Sequence, residues 1–165
     1  MALWKKVAWS ALALLVLVVA AGVQLVVGWR AVLFGPRARA LTARTIEATP
    51  ERLERGAYLA SRHGCVVCHT ERDWSAPGAP LRADRIGAGV VWSAEGMPWV
   101  TAPNLTPDPE TGIGRVSDDA IARAVREGIG ADGRALFSLM PYGEYRRIPD
   151  EDVAAIVVYL RSPPP

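Results

Sequence analysis

The chain has 165 residues, with 19 Lys and Arg against 17 Asp and Glu. Six of the basic residues precede Glu47, the first acidic residue, and the rest of the chain carries 13 basic against 17 acidic residues. This remainder is therefore acidic although the formal net charge is +2, which argues against nucleic acid as a partner.

The N-terminal segment is almost unbroken apolar sequence from Val7 to Val27. At about 1.5 Å per residue it extends roughly 30 Å, the thickness of one hydrocarbon core. We therefore predict a retained transmembrane anchor over residues 7–28, preceded by a cytoplasmic N-terminus of residues 1–6. The alternative is a cleaved signal peptide, although the apolar run exceeds the roughly 7–15 residues usual for one.

A juxtamembrane linker is predicted over residues 29–48, because Gly35 to Thr49 lacks apolar periodicity and contains a Gly-Pro break. Four arginines lie in this region: Arg30, Arg37, Arg39 and Arg44. We expect these arginines to face anionic lipid of the outer leaflet or an acidic partner surface, or else to belong to a linker exposed to solvent.

A small all-α domain is predicted over residues 49–165. Thr49-Pro50-Glu51 is typical of a helix start, and this helix would run to about Arg62. Residues 74–103, rich in Gly, Pro and Trp, indicate a long loop, and no convincing strand is present. Further helices are predicted to begin at Ser117-Asp118-Asp119, ending near Gly130, and at Asp150-Glu151-Asp152, ending at Ser162.

The strongest motif is Cys65-Val66-Val67-Cys68-His69. A C-x-x-C-H run is typical of covalent haem attachment, with Cys65 and Cys68 as thioether donors and His69 as an iron ligand on the same side. Because these are the only 2 cysteines, we predict one haem c and no disulfide. A thioredoxin-type dithiol would need a βαβ setting, whereas the flanks of this motif look helical. A zinc site would have to use His63, Cys65, Cys68 and His69, which are too crowded in sequence to form one tetrahedron. His63 is interpreted as a surface residue at a helix end.

The order of helix, C-x-x-C-H, loops, helix, methionine loop and C-terminal helix resembles class I c-type cytochromes over about residues 49–162. Gly56 and Tyr159 match positions at which that family crosses its terminal helices closely. Pro103-Asn104-Leu105 looks like the family's Pro-Asn-Leu segment. The resemblance implies that the Pro103 carbonyl accepts a hydrogen bond from His69 Nδ1 and that Leu105 packs on the haem. The alternative for Pro103 is an ordinary loop proline.

A closer resemblance is to cytochrome subunits and domains that accept electrons for bacterial membrane-bound dehydrogenases. The stretches that carry it are Asn104–Gly114, Asp132–Leu136, Met140–Tyr142, Asp150–Val153 and Tyr159–Arg161. Two features depart from that pattern: many such subunits have three haem motifs, and their anchor commonly follows the haem domains. Nothing in this chain resembles a nucleotide-, quinone- or metal-binding enzyme domain.

The resemblance also implies that Met140 is the sixth iron ligand, because it lies where the family's distal methionine is found. The alternatives for this ligand are Met97 in the long loop or an open site. The alternative role for Met140 is that of a gap-filling core residue. His/Met ligation would make the chain an electron-transfer protein rather than an enzyme. The other function class is a haem-based sensor or peroxidase with an open distal site.

The expected partners are other membrane redox proteins: a dehydrogenase, a quinol-oxidising complex, an oxidase or a reaction centre. Counted alone, the arginines after the apolar segment favour a cytoplasmic C-terminus. Haem c attachment requires the opposite, so we expect the haem domain on the periplasmic or outer face of the cytoplasmic membrane. Trp74, Trp92 and Trp99 are expected either to dock a partner at the haem edge or to cover the haem.

Overall fold

The computed structural model describes residues 3–34, 38–92 and 99–162. The chain divides into two compact units, Met1–Arg37 and Ala38–Pro165. The first unit is one long helix, and the second is a domain of short helices with one small hairpin.

The N-terminal unit is the helix α1 (Leu3–Phe34). Within it, Trp4–Val26 is long and apolar enough to cross a membrane, and no part of this stretch is buried in protein. A signal sequence near the N-terminus can also meet these criteria of length and composition. The predicted span over Val7–Val27 is therefore a candidate anchor.

Most of the regular secondary structure in the second unit is helical, as predicted. Its described helices are α2 (Pro50–Arg62), α3 (Cys65–Cys68), α4 (Asp118–Glu127), α5 (Tyr142–Tyr145) and α6 (Asp150–Leu160), with a 3-10 turn at Ala83–Arg85. The two predicted caps are confirmed, since Thr49 Oγ1 accepts from the N–H of Arg52 and Ser117 Oγ accepts from the N–H of Ala120. The helix α4 ends at Glu127, slightly before the predicted end near Gly130, because Gly128 takes a left-handed conformation.

The core of this unit forms where α2 crosses α6. A Cβ atom on Gly56 would lie 2.0 Å from the carbonyl oxygen of Ala155 and 2.8 Å from Cβ of Tyr159, so only glycine allows this approach. The close crossing expected at Gly56 and Tyr159 is therefore confirmed. The buried residues around it are Leu59, Ile113, Ile121, Ala122, Val153, Ala155, Ile156, Val157 and Leu160.

The expectation of no strand was wrong in one place. β1 (Val90–Trp92) pairs antiparallel with β2 (Val100–Ala102), with Val91 opposite Thr101. Each strand has only three residues and lies in a Gly-rich region, so neither shows the longer alternation that predicts a strand. This hairpin closes part of the long loop and leads directly into Pro103.

Part of the predicted linker packs on the second unit. We call residues 38–49 the strap. Arg39 donates to both carboxylate oxygens of Asp119 at 2.8 Å and to Oε1 of Glu127 at 2.7 Å. The N–H of Thr42 donates to the same Asp119 carboxylate at 2.7 Å. Arg39 therefore forms ion pairs within the chain, whereas we expected it to face lipid, a partner or solvent.

Further contacts hold the strap against α4 and the core. The N–H of Ile46 donates to Asp118 Oδ2 at 2.8 Å, and its side chain packs against the core. The buried Arg123 donates to the carbonyl of Arg39 at 2.8 Å. These partners are about 70 to 90 residues apart in sequence, so local composition gave no sign of them.

Candidate haem attachment site

The attachment motif occupies a sharp corner after α2. His63 ends α2, Gly64 turns the chain with a left-handed φ of 75°, and α3 begins at Cys65. Because Cys65 and Cys68 are three residues apart on one helical turn, their side chains lie on the same face. Neither cysteine is in a disulfide; Cys68 is exposed and Cys65 is half-buried. The corner thus presents two thiols side by side.

The thiol chemistry differs from that of a redox dithiol. Burial raises the pKa of the Cys65 thiol to about 11. Catalytic thiols of the thioredoxin type need a lowered pKa, because the thiolate is the nucleophile. The described residues also contain no group of three or more His, Cys, Asp or Glu side chains placed to hold a metal ion. The raised pKa of Cys65 therefore disfavours the dithiol alternative.

His69 is held in one orientation by the segment after β2. Its side chain is buried, and Nδ1 donates to the carbonyl oxygen of Pro103 at 2.8 Å. This is the contact that the resemblance implied. Burial lowers the pKa of His69, and the hydrogen bond to Pro103 opposes that shift. Because Nδ1 is engaged by the carbonyl, Nε2 is the nitrogen left for a metal.

Two glycines and a threonine that the sequence analysis missed connect His69 to Pro103. The N–H of Gly89 donates to the carbonyl of His69 at 2.8 Å, and the N–H of Gly87 donates to Thr70 Oγ1 at 2.9 Å. The carbonyl of Gly87 in turn accepts from the N–H of Leu105 at 2.8 Å. The turn at residues 87–89 therefore joins the end of the motif to the Pro-Asn-Leu segment.

Gly89 is required here for two reasons. Its φ of +85° is left-handed, and a Cβ atom would lie 2.9 Å from both Ala102 O and Asn104 N. The local signal was only a Gly-Ala-Gly sequence within a Gly-rich loop, which does not indicate a specific contact. Leu105 is half-buried and packs against the core, and its predicted packing on a haem stays a prediction.

Met140 lies in the loop between α4 and α5. Its side chain is half-buried, its N–H donates to Phe137 O at 3.1 Å, and its carbonyl accepts from Tyr142 N at 2.8 Å. Phe137 and Leu139 beside it are 59% and 53% exposed. Exposed apolar side chains clustered in one loop indicate a surface that another apolar group covers. Met97, the alternative ligand, lies outside the described residues.

The Met140 loop is connected to the attachment corner through α5. The hydroxyl of Tyr145 donates to the carbonyl of His63, and the two rings meet edge to face with centroids 5.3 Å apart. The structure thus brings Cys65, Cys68, His69 and Pro103 together directly and ties the Met140 loop to them through Tyr145. His63 lies at the end of α2, as expected, and is half-buried.

This donor set fits a covalent haem. Two adjacent thiols can add to two vinyl groups, the oriented imidazole can ligate iron through Nε2, and a thioether is available in an apolar loop. A family model for cytochrome c matches residues 53–163. The chain belongs to the cytochrome c family. Membership implies covalent haem c and electron transfer, and it agrees with the predicted class I fold.

Relatives of this cytochrome include parts of several dehydrogenases. The chain is 43% identical over 113 residues to a nicotinate dehydrogenase component of Pseudomonas putida, covering 68% of this chain and 9% of that protein. It is 35% identical over 114 residues to the gluconate 2-dehydrogenase cytochrome c subunit of Pantoea cypripedii, covering 69% and 24%. It is 32% identical over 134 residues to the cytochrome c subunit of the quinone-dependent alcohol dehydrogenase of Gluconobacter oxydans, covering 81% and 25%.

This cytochrome therefore spans a quarter or less of the length of these relatives. The predicted resemblance to cytochrome subunits of membrane-bound dehydrogenases is confirmed. The match covers the haem domain and leaves the remaining parts of those proteins unaccounted for in this chain.

The long loop before Pro103 exposes two of its tryptophans. Trp74 and Trp99 are 81% and 80% exposed, and Trp92 in β1 is 39% exposed. Neither Trp74 nor Trp99 is a core residue of the described domain. Exposed tryptophans are expected both of a docking surface and of a segment that covers a haem, so both hypotheses stay predictions.

Proposed function

We propose that this protein is a membrane-anchored monohaem cytochrome c that carries single electrons between a dehydrogenase and a respiratory or photosynthetic chain. The observation that supports it most is the His69–Pro103 hydrogen bond of 2.8 Å inside a C-x-x-C-H motif. That contact orients an imidazole for metal ligation and has no use in a redox dithiol.

Each part of the site has a distinct role in this proposal. Cys65 and Cys68 would hold the haem on α3 through two thioethers, each formed when an S–H bond adds across a vinyl C=C bond. Pro103 holds the ring of His69, which leaves Nε2 of His69 to ligate the iron, and Met140 would supply the second protein ligand. When bound, haem c supplies a one-electron ferric/ferrous couple whose potential is raised by His/Met ligation.

The protein contributes orientation and exclusion of water. The buried His69 keeps the proximal side dry, and the turn at residues 87–89 fixes the carbonyl that holds it. With His69 and Met140 as its ligands, a bound haem would exchange electrons with partners without bond making or breaking. The protein itself is then an electron carrier and not the catalytic subunit.

The partner we propose is a dehydrogenase bound at the same membrane. Relatives of this chain include cytochrome subunits of dehydrogenases for gluconate, alcohol and fructose. We further propose that α1 is a retained anchor and that the haem domain faces the periplasm, because C-x-x-C-H attachment takes place on that side.

Peptide mass spectrometry tests the attachment. A protease digest of functional protein should yield one peptide containing Cys65–His69 with the mass of one haem. The oxidised protein should also show the long-wavelength Met–iron charge-transfer band of a low-spin haem. An unmodified peptide from functional protein would refute the proposal, and a high-spin spectrum without that band would favour the sensor or peroxidase.

Membrane extraction tests the anchor. Carbonate or high salt should leave the protein in the membrane fraction, whereas mild detergent should release it together with its partner. Protein that is released by carbonate and begins near Ala21 would identify α1 as a cleaved signal peptide. A protease added to intact spheroplasts should digest the haem domain if it faces outward.

A further inference from the structure

Tyr145 is a buried side chain that joins two parts of the domain far apart in sequence. Its hydroxyl donates to the backbone carbonyl of His63, 82 residues earlier. Its side chain is buried, and burial raises the pKa of its phenol to about 12. The phenol therefore stays protonated and a donor at any physiological pH.

The acceptor end of this bond lies at the start of the attachment motif. His63 is the cap of α2, and a carbonyl at a helix end lacks the helical partner that earlier carbonyls have. Tyr145 supplies that partner among the described residues. Gly64 and Cys65 follow at once, so the bond fixes the point from which α3 begins.

The donor end is rigidly connected to Met140. Tyr142 N donates to Met140 O at 2.8 Å, Glu144 N to Pro141 O at 2.9 Å, and Tyr145 N to Pro141 O at 3.3 Å. These hydrogen bonds run without a break from Met140 to the end of α5. A shift of Tyr145 relative to His63 must therefore be transmitted to the Met140 loop.

We propose that Tyr145 is a positioning residue that clamps the Met140 loop to the haem attachment corner and so maintains the methionine–iron bond. The inference rests on the proposed function, in which Met140 is an axial ligand. Loss of the hydroxyl would leave the haem attached through Cys65 and Cys68 while allowing the Met140 loop to move away. The methionine–iron bond and the Tyr145–His63 hydrogen bond would thus stabilise each other.

The chain offers a matched control one turn away. Tyr142 is also in α5, and its ring packs directly against Gly128. A Cβ atom on Gly128 would lie only 2.5 Å from the nearest ring carbons of Tyr142. Its hydroxyl makes no hydrogen bond within the described part of the chain. Tyr142→Phe and Tyr145→Phe therefore remove the same atom from the same helix, but only the second removes a hydrogen bond.

The experiment compares the haem-bearing parent with Y145F, Y142F and Met140→Ala. Imidazole binding to the oxidised protein, reduction potential and thermal unfolding are measured on each. Y145F should bind imidazole about five-fold more tightly than the parent, the factor for one neutral hydrogen bond of about 1 kcal/mol, and its potential should fall. Y142F should match the parent, and Met140→Ala should bind imidazole most tightly.

Two outcomes would overturn the clamp alone. One is a Y145F protein with parental imidazole affinity and potential but reduced thermal stability, because that result means the bond is only structural. The other is a His63→Ala protein that binds imidazole as tightly as Y145F, since that variant keeps the carbonyl and loses only the ring contact. If Met140→Ala itself leaves imidazole affinity unchanged, the ligand assignment has failed, and the clamp fails with it because it rests on that assignment.

Discussion

At the scale of single residues, the proposed ligation by Met140 would decide what the iron can do. A thioether is a soft donor that raises the haem potential, and at the iron it would block the position where peroxide or a gas binds. Met140→Ala should therefore leave the haem attached, convert a low-spin iron into a ligand-accessible one and lower its potential. Spectra of the oxidised and reduced protein and a redox titration measure these changes. The same changes in Met97→Ala, with none in Met140→Ala, would assign the ligand to Met97 instead.

Gly89 tests the turn that holds His69. Gly89 and Gly133 both have left-handed φ angles, +85° and +82°, but a Cβ atom meets backbone atoms at 2.9 Å only at Gly89. Gly133→Ala should cost about 1 kcal/mol of unfolding free energy from its φ angle alone. Gly89→Ala should lose a further 1–3 kcal/mol, roughly, from overpacking. Urea denaturation of both variants gives the difference, and equal losses would mean that the close approach has no energetic importance.

The sequence predicted the site residues that belong to local motifs. Cys65, Cys68 and His69 are adjacent, and the Pro-Asn-Leu segment was recognisable by resemblance. Thr70, Gly87 and Tyr145 were missed because their roles depend on partners 17 to 82 residues away. A hydroxyl that caps a distant carbonyl leaves no periodic or spacing signal in the sequence.

At the scale of elements, helix starts were predictable because capping is local. Thr49 and Ser117 each bond to an N–H three residues later, so the signal lies within four residues. The strap was not predictable, since Arg39 and Asp119 are 80 positions apart. A run of arginines after an apolar segment has the same composition whether it faces lipid or an acidic helix start.

The strap contributes to stability through a carboxylate that is nearly fully buried. Asp119 is 4% exposed and accepts from Arg39 and from the N–H of Thr42. Asp119→Asn should lower the unfolding free energy by about 1.5–3 kcal/mol, the range for hydrogen bonds to charged groups. Asp132→Asn is the control, because Asp132 pairs with Arg134 on the surface and should matter little. Similar melting temperatures for both variants would contradict this role of the strap.

The same carboxylate makes stability depend on pH. The Arg39 guanidinium, followed by the hydrogen bonds from Thr42, holds the pKa of Asp119 well below its usual range. As pH falls below about 4, the ordinary pKa of an aspartate, the unfolded chain takes up this proton and the folded domain does not. The stabilisation from Asp119 is thus fully present above that pH and declines below it. When the pH is lowered from neutral to acid, the unfolding free energy of the Asp119→Asn variant should therefore fall less than that of the parent.

At the scale of the whole molecule, the domain must pass electrons across a surface that a partner recognises. The chain from Glu47 onward is acidic, with 13 basic against 17 acidic residues, and its long loop displays Trp74 and Trp99. Tryptophan contributes a large contact area at little entropic cost and is favoured at the centres of interfaces. An acidic surface speeds encounter with a basic partner and makes that rate depend on salt.

Trp74 gives the most direct test of docking, because at 81% exposed its removal leaves no cavity in the described domain. Trp74→Ala should slow electron transfer with the membrane partner while leaving the spectrum and the reduction potential unchanged. Tyr58→Ala is the matched control, since Tyr58 is an aromatic residue on α2 that is 57% exposed. Stopped-flow reduction by membranes that contain the partner measures the rate, and redox titration measures the potential. If Trp74→Ala shifts the potential or loosens the haem, Trp74 belongs to the haem pocket; if it slows transfer no more than Tyr58→Ala, the loop is not the docking surface.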